Sequence, residues 1–223
     1  MKRAMPILLV GTVEIALAAW LGAPWIALLG WMAAVTVMVG ASIAVRWTGL
    51  FLKNANGDMP WWVPIAFWPW LLTLRGILLL RRKVGSEPLF SEIHPGWFLG
   101  GWPYDPKVFE RWPAVIDVTC ELPRRRPEGP YLCLPTWDGT APPVEDIERA
   151  VRWALAQRKQ GYEILVHCAA GHSRSATVLA ACLVAAHLHR DWKEAVVHME
   201  GLRRGVHLIP EQEEVLTRWA ARR

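Results

Sequence analysis

Two long apolar runs near the start of the chain limit what it can fold into. Met5 to Leu21 is interrupted only by Glu14, and Trp25 to Val45 carries no charge. Each is about long enough to cross a hydrocarbon core of roughly 30 Å as a helix. The short Gly22-Ala23-Pro24 link between them makes the pair a transmembrane helical hairpin, with spans of about 5–21 and 25–45. A cleaved signal peptide explains the first run less well, because the second run follows at once and the small-residue cleavage pattern is weak. Glu14 inside a span is costly, so it is expected to mark helix packing.

A third apolar stretch, Pro60 to Leu80, is more ambiguous. It holds Pro64, Pro69, four tryptophans (Trp61, Trp62, Trp68, Trp70) and Arg75. Tryptophan prefers the membrane interface, and charge at depth is unfavourable. Lys2, Arg3 and Arg46 flank the first two runs, and Arg81-Arg82-Lys83 follows the third. If only two runs cross, all these cations lie on the cytoplasmic side. The expectation is two spans plus an interfacial or re-entrant segment, with a third crossing as the alternative. The catalytic half then lies in the cytoplasm, with a bacterial inner membrane the expected location.

Charge supports the same division. The residues before Val84 include eight basic and two acidic side chains, while the remainder is nearly balanced. The basic character therefore points to a membrane surface and not to nucleic acid. The expected organisation is a membrane region over 1–83 and a catalytic domain over 84–223, long enough for a single core. Cys120, Cys133, Cys168 and Cys182 have neither disulfide-framework nor metal-ligand spacing. A reducing compartment is the simpler reading.

After Val84 short strands alternate with helices. Trp97–Leu99, Ala114–Val118, Tyr131–Leu134 and Tyr162–Val166 read as strands. Val144–Gln157, Ser175–His187, Trp192–Gly201 and Glu211–Ala221 read as helices, the first with Glu145, Asp146 and Glu148 in its opening turn. This alternation predicts an α/β domain with a central, mostly parallel sheet flanked by helices.

The chemistry is concentrated in His167-Cys168-Ala169-Ala170-Gly171-His172-Ser173-Arg174-Ser175. A strand, a tight loop and a helix start would turn successive N–H groups toward one point and add the positive end of a helix dipole. Such a place lowers a thiol's pKa, making Cys168 a nucleophilic thiolate. Arg174 offers a planar fork for two phosphate oxygens, and Gly171 lets the loop turn closely under an anion. Ser175 can donate to the sulfur, and His167 is better suited to ordering the loop than to acting as a base. Expelling an alcohol from a phosphate ester needs a proton donor. Asp138, between Trp137 and Gly139 in a loop that follows a strand, can supply it.

These residues resemble the signature loop and upstream acid of the cysteine-dependent protein tyrosine phosphatase superfamily, in its dual-specificity branch. The likeness runs from about Trp97 to Trp219 and includes Val115–Leu122 and Ile209–Leu216. It is similar in particular to phosphatidylglycerophosphate phosphatases of the mitochondrial type and to related bacterial and plant proteins. The resemblance implies a dual-specificity-phosphatase-like fold, with Cys168 as nucleophile, Arg174 binding phosphate, Asp138 as general acid and base, and Ser175 aiding thiolate departure. It implies a phosphocysteine intermediate, no metal and no cofactor. Lipid-directed members often carry lysine after the cysteine and a basic residue after the loop glycine, where this chain has Ala169 and His172. That argues against a multiply phosphorylated inositol lipid.

The expected activity is hydrolysis of phosphate monoesters by a membrane-integral enzyme, on a phospholipid headgroup or a phosphoprotein. The alternative is a catalytically silent phosphate-binding module. A rhodanese-like sulfurtransferase fits less well, since its cysteine loop is shorter and lacks the aspartate flap. Cys120, Cys133 and Cys182 read as core residues. His187, His189 and His198 read as surface or core histidines and not metal ligands. Arg124-Arg125-Arg126 reads as a solvated loop that can reach lipid headgroups or substrate. Trp102, Trp112, Trp153, Trp192 and Trp219 are spaced like packing residues.

Overall fold

The computed structural model describes residues 4–21, 25–85, 87–103, 113–124 and 129–223. Lys2, Arg3, the Gly22–Pro24 link, Trp112, Arg125 and Arg126 lie outside the described residues. The chain divides into two compact units. Met1–Leu52 and Met59–Leu80 form one, and Lys53–Asp58 and Arg81–Arg223 form the other.

In the first unit, α1 (Ala4–Leu21) pairs with α2 (Trp25–Ala44). Both are long and apolar enough to cross a membrane, by length and composition. Small residues allow a close approach: a Cβ on Gly40 would press on Leu8, and one on Gly11 on Val37. A 3₁₀ turn (Thr48–Phe51) follows. The third apolar stretch is broken into a one-turn helix, α3 (Val63–Ala66), and α4 (Trp68–Val84). Trp31 donates its indole N–H to the Ala66 carbonyl and meets Trp68 edge-on.

The second unit is built on a five-stranded sheet of order β1-β2-β5-β3-β4. Its strands are β1 (Phe90–His94), β2 (Trp97–Gly100), β3 (Ala114–Asp117), β4 (Tyr131–Cys133) and β5 (Ile164–His167). All neighbours run parallel except the β1–β2 hairpin. The strand predicted from Tyr162 begins two residues later, because Tyr162 sits outside the sheet with 38% of its surface exposed. Strand β1 has only one buried residue, Ile93, and this half-solvated edge leaves little apolar pattern to read.

The helices α5 (Val144–Lys159), α6 (Arg174–Ala185), α7 (Trp192–Leu202) and α8 (Pro210–Ala220) complete the unit. One core joins Leu99, Ile116 and Val166 of the sheet to Ile147, Leu179, Met199 and Leu216 of these helices. Helix α6 is buried from Arg174 through Leu183, as expected of a helix apolar on every side. Central strand β5 ends with His167 in register with Gly100 of β2 and Asp117 of β3. Three carboxyl ends of parallel strands thus meet where Cys168 begins the next loop, the usual place for a ligand in such sheets.

Candidate active site

The loop from Cys168 to Ser173 joins β5 to α6, whose first residue is Arg174. Cys168 N–H donates to the Gly100 carbonyl (3.3 Å), and Trp102 N–H donates to the Ala169 carbonyl (3.0 Å). Gly171 has φ +84°, and a side chain there would run into the Gly100 backbone. Its N–H donates to Cys168 Sγ at 3.2 Å, and Ser175 Oγ donates to the same sulfur at 3.3 Å. His172 faces Glu87 (2.5 Å).

Burial alone would raise the Cys168 pKa. The charge of Arg174, the Ser175 hydroxyl and the N–H groups of Ser175 and Gly171 outweigh burial and hold the thiol below its ordinary value. The other cysteines go the opposite way. Burial pushes Cys133 and Cys182 up to about 12, and Cys120 well above its ordinary range. A thiol reacts as its thiolate, so alkylation by iodoacetamide should label Cys168 first. Its rate should rise with pH and level off below the ordinary thiol range, and Ser175→Ala should move that plateau to higher pH. Mass spectrometry of the labelled peptides reads both.

Arg174 is fully buried. It forms a two-pronged pair with Glu121 (3.2 and 2.9 Å) and donates to the Thr136 carbonyl (2.6 Å). Its Nη2 lies 3.4 Å from Asp138, whose side chain is 67% exposed. Among the described residues its Nε has no hydrogen-bond partner. A buried guanidinium fixed on one edge, with an N–H left over beside a lowered thiol, is a donor set awaiting an anion.

The Asp138 loop is a turn in which Thr140 N–H returns to the Trp137 carbonyl, with Gly139 at φ +76°. Trp137 is buried, which leaves Asp138 at the tip. Gln212, at the start of α8, spans this loop and the cysteine loop. Its Nε2 donates to the Thr140 carbonyl (2.9 Å), and its Oε1 accepts from Ser173 (2.8 Å). The structure thus brings Cys168, Arg174, Ser175 and Asp138 into one site.

Five further residues support that site without a local sequence signal for their roles. Arg203, buried just after α7, donates to the carbonyls of Gly171 (2.9 Å), Ala170 (3.2 Å) and Pro88 (2.8 Å) and pairs with Glu87 (3.0 Å). Glu121 and Gln212 act as described above. Asp117 and Lys53 form a buried pair at 2.5 Å, with neither side chain exposed. Lys53 Nζ also donates to the Thr119 carbonyl and hydroxyl (2.8 and 3.0 Å), and Tyr131 OH donates to Asp117 (2.7 Å). Buried His167 lies 3.9 Å from the same carboxylate, and burial lowers its pKa and favours the neutral ring. That suits ordering the loop. The only hint in the sequence is Asp117 itself, a charge in an otherwise apolar strand, which calls for a partner.

Lys53 belongs to a segment that lines the outer edge of the sheet. Cys133 N–H donates to the Ala55 carbonyl (2.9 Å) and Arg124 N–H to that of Gly57 (3.1 Å). Arg124 also donates to the Asn56 carbonyl (3.2 Å) and stacks over the Tyr131 ring. Of the arginine loop expected to be solvated, Arg124 is thus partly exposed and tied to this segment. Arg82 likewise turns inward to the Trp102 carbonyl, whereas Arg81 and Lys83 are exposed.

Residues 112–220 match the family described as dual specificity phosphatase, catalytic domain. Over these residues, which carry the site described above, the second unit is similar to the cysteine-dependent dual-specificity phosphatase superfamily. The human protein named phosphatidylglycerophosphatase and protein-tyrosine phosphatase 1 is 39% identical over 88 residues, 38% of this chain. The chain spans 42% of that relative's length. The crystal structure of Tk-PTP in its active form superposes with a TM-score of 0.54 at 26% identity, covering 61% of this chain and 99% of that one. PTPMT1 in complex with PI(5)P shares the fold, with a TM-score of 0.51 at 24% identity over 60% of this chain and 96% of that one.

Proposed function

We propose that this chain is a membrane-anchored phosphatase that hydrolyses a phosphate monoester on a phospholipid headgroup through a phosphocysteine intermediate. The carrying observation is the lowered Cys168 thiol beside the fully buried Arg174, whose Nε lacks a partner among the described residues. The Cys168 thiolate attacks phosphorus, the bond to the ester oxygen breaks, and Asp138 gives its proton to that oxygen. Water then attacks the phosphocysteine and yields a proton to Asp138. The P–S bond breaks, and Ser175 stabilises the departing thiolate. Arg174 holds two phosphate oxygens throughout, kept in register by Glu121.

The name of the human relative covers both a phosphatidylglycerophosphatase and a protein-tyrosine phosphatase; two helices of membrane-crossing length favour the lipid of the two. The loop itself suits a singly phosphorylated headgroup, because Ala169 is buried, His172 faces Glu87, and Arg203 braces the loop carbonyls. For the membrane we propose two crossings and a cytoplasmic catalytic unit. Both ends of Met59–Leu80 continue into that unit. This supports a stretch that starts and ends on one side of the bilayer, and its length allows no return crossing. Protease applied to sealed vesicles of known sidedness should cut the catalytic unit only from the cytoplasmic face.

Phosphate release should be fastest from vesicles containing phosphatidylglycerophosphate and slow from multiply phosphorylated phosphoinositides and phosphotyrosine peptides. Faster release from the peptides would assign a phosphoprotein substrate, and none from any substrate would favour the silent binding module. Asp138→Asn should slow alkyl phosphates by about 10²-fold or more and activated aryl phosphates far less. Equal slowing of both would remove Asp138 from the role of acid.

A further inference from the structure

The α7 side of the catalytic unit gathers three histidines that sequence spacing does not associate. His94 ends β1, His189 lies in the turn between α6 and α7, and His198 is in the middle of α7. All three are partly buried. Their ring centroids are 4.7 Å apart for His94 and His198, 4.9 Å for His94 and His189, and 5.1 Å for His189 and His198. Each ring offers one nitrogen, and these three atoms lie within 4.8 Å of one another. Nitrogens bound to one zinc ion at 2.0–2.1 Å stand about 3.3 Å apart in tetrahedral geometry. Modest side-chain rotations therefore close the set.

We infer that His94, His189 and His198 form a binding site for a divalent metal ion of the zinc class, separate from the phosphatase chemistry. The outward nitrogens carry the second argument. His198 Nε2 lies 3.0 Å from the Ile93 carbonyl, which leaves Nδ1 as its ligand atom. His189 Nε2 lies 2.9 Å from His94 Nε2, and its Nδ1 lies 3.8 Å from the Glu194 carboxylate. A carbonyl or carboxylate behind the far nitrogen is how metal-binding imidazoles are oriented. His189 Nδ1 is buried with no hydrogen-bond partner among the described residues, an orphan that a small tilt toward Glu194 would satisfy. Imidazole ligands suit Zn²⁺, Ni²⁺, Cu²⁺ and Co²⁺ far better than Mg²⁺ or Ca²⁺.

Three ligands leave a fourth position for water, and His189 and Glu194 also line an open cleft. The site's place in the fold suggests a clamp. It ties edge strand β1 to α7 at one end of the pair, while Arg203, just past α7, ties Pro88 and Ser91 to the cysteine loop at the other. A metal that fixes β1 against α7 fixes the base from which Arg203 braces the loop.

The test uses the full chain in detergent, stripped of metal and titrated with Co²⁺ alone and then Zn²⁺. One equivalent of Co²⁺ should give visible d–d bands without a thiolate charge-transfer band, and Zn²⁺ should displace it. At a hundredfold excess over Kd, Zn²⁺ should raise the melting temperature by roughly 5–10 °C. His94→Gln and, independently, His189→Gln should abolish the bands and the shift, whereas Cys168→Ser should retain both. Circular dichroism of the metal-free variants verifies that each is folded. Bands that persist in both folded histidine variants, a thiolate band lost in Cys168→Ser, or no stoichiometric binding would overturn the site. Because the readout is metal binding, it stands whether or not the phosphatase reading does.

Discussion

Replacing Cys168 with serine should lower phosphate release on the order of 10⁴-fold or more, the scale seen when a covalent nucleophile is removed from an intact site. A serine hydroxyl has no thiolate to offer, and Arg174, the Ser175 hydroxyl and the Gly171 N–H cannot ionise it as they do the thiol. The variant should still bind substrate, because Arg174 keeps its bracing by Glu121 and Thr136. Trapping of vesicles by the variant, competed by inorganic vanadate, measures that directly. Single-turnover assays of the wild type quenched in acid should show phosphate bound to the Cys168 peptide. Unchanged release from the serine variant would end the nucleophile assignment.

Lys53→Met carries the largest expected effect on stability. The ammonium is buried with Asp117, and each partner strengthens the charged form of the other against the opposing effect of burial. Removing the lysine leaves a buried carboxylate whose remaining hydrogen bonds, among the described residues, come from Thr119 and Tyr131, with the His167 ring 3.9 Å away. Breaking a buried pair this way costs about 3–5 kcal/mol, or on the order of 10–15 °C in melting temperature for a domain of this size. Scanning fluorimetry of the detergent-solubilised chain provides the measurement. Adding Asp117→Asn to Lys53→Met should recover part of the loss, since it removes the stranded charge. A fall of less than about 1 kcal/mol in the single variant would mean that Thr119 and Tyr131 suffice.

Legibility in the sequence followed distance along the chain. The cysteine loop was readable because strand, anion loop and helix start are contiguous, and Arg174 falls one residue before the helix start expected from the pattern. Asp138 was readable as a polar residue between Trp137 and Gly139, a buried anchor and a positive-φ turn. Strand β1 was not, because four of its five residues keep contact with solvent and its pairing shifts register near His94. Lys53 was not, because a lone cation between apolar runs looks like a headgroup contact, and its partner is 64 positions away. The histidine cluster was hidden for the same reason: its members come from a strand, a turn and a helix.

The place of Lys53 also bears on the order in which the molecule can be completed. Its pairing with Asp117 closes a loop of 64 positions that contains the whole third apolar stretch. For a flexible chain such a closure costs roughly 4 kcal/mol of entropy, and less once α3 and α4 have formed. During synthesis the lysine emerges well before the aspartate, so it waits for the intervening stretch to find its place. A catalytic domain begun at Arg81 would fold with Asp117 unpaired. The contact thus makes the stability of the catalytic core depend on a residue that stands ahead of the third apolar stretch in the chain.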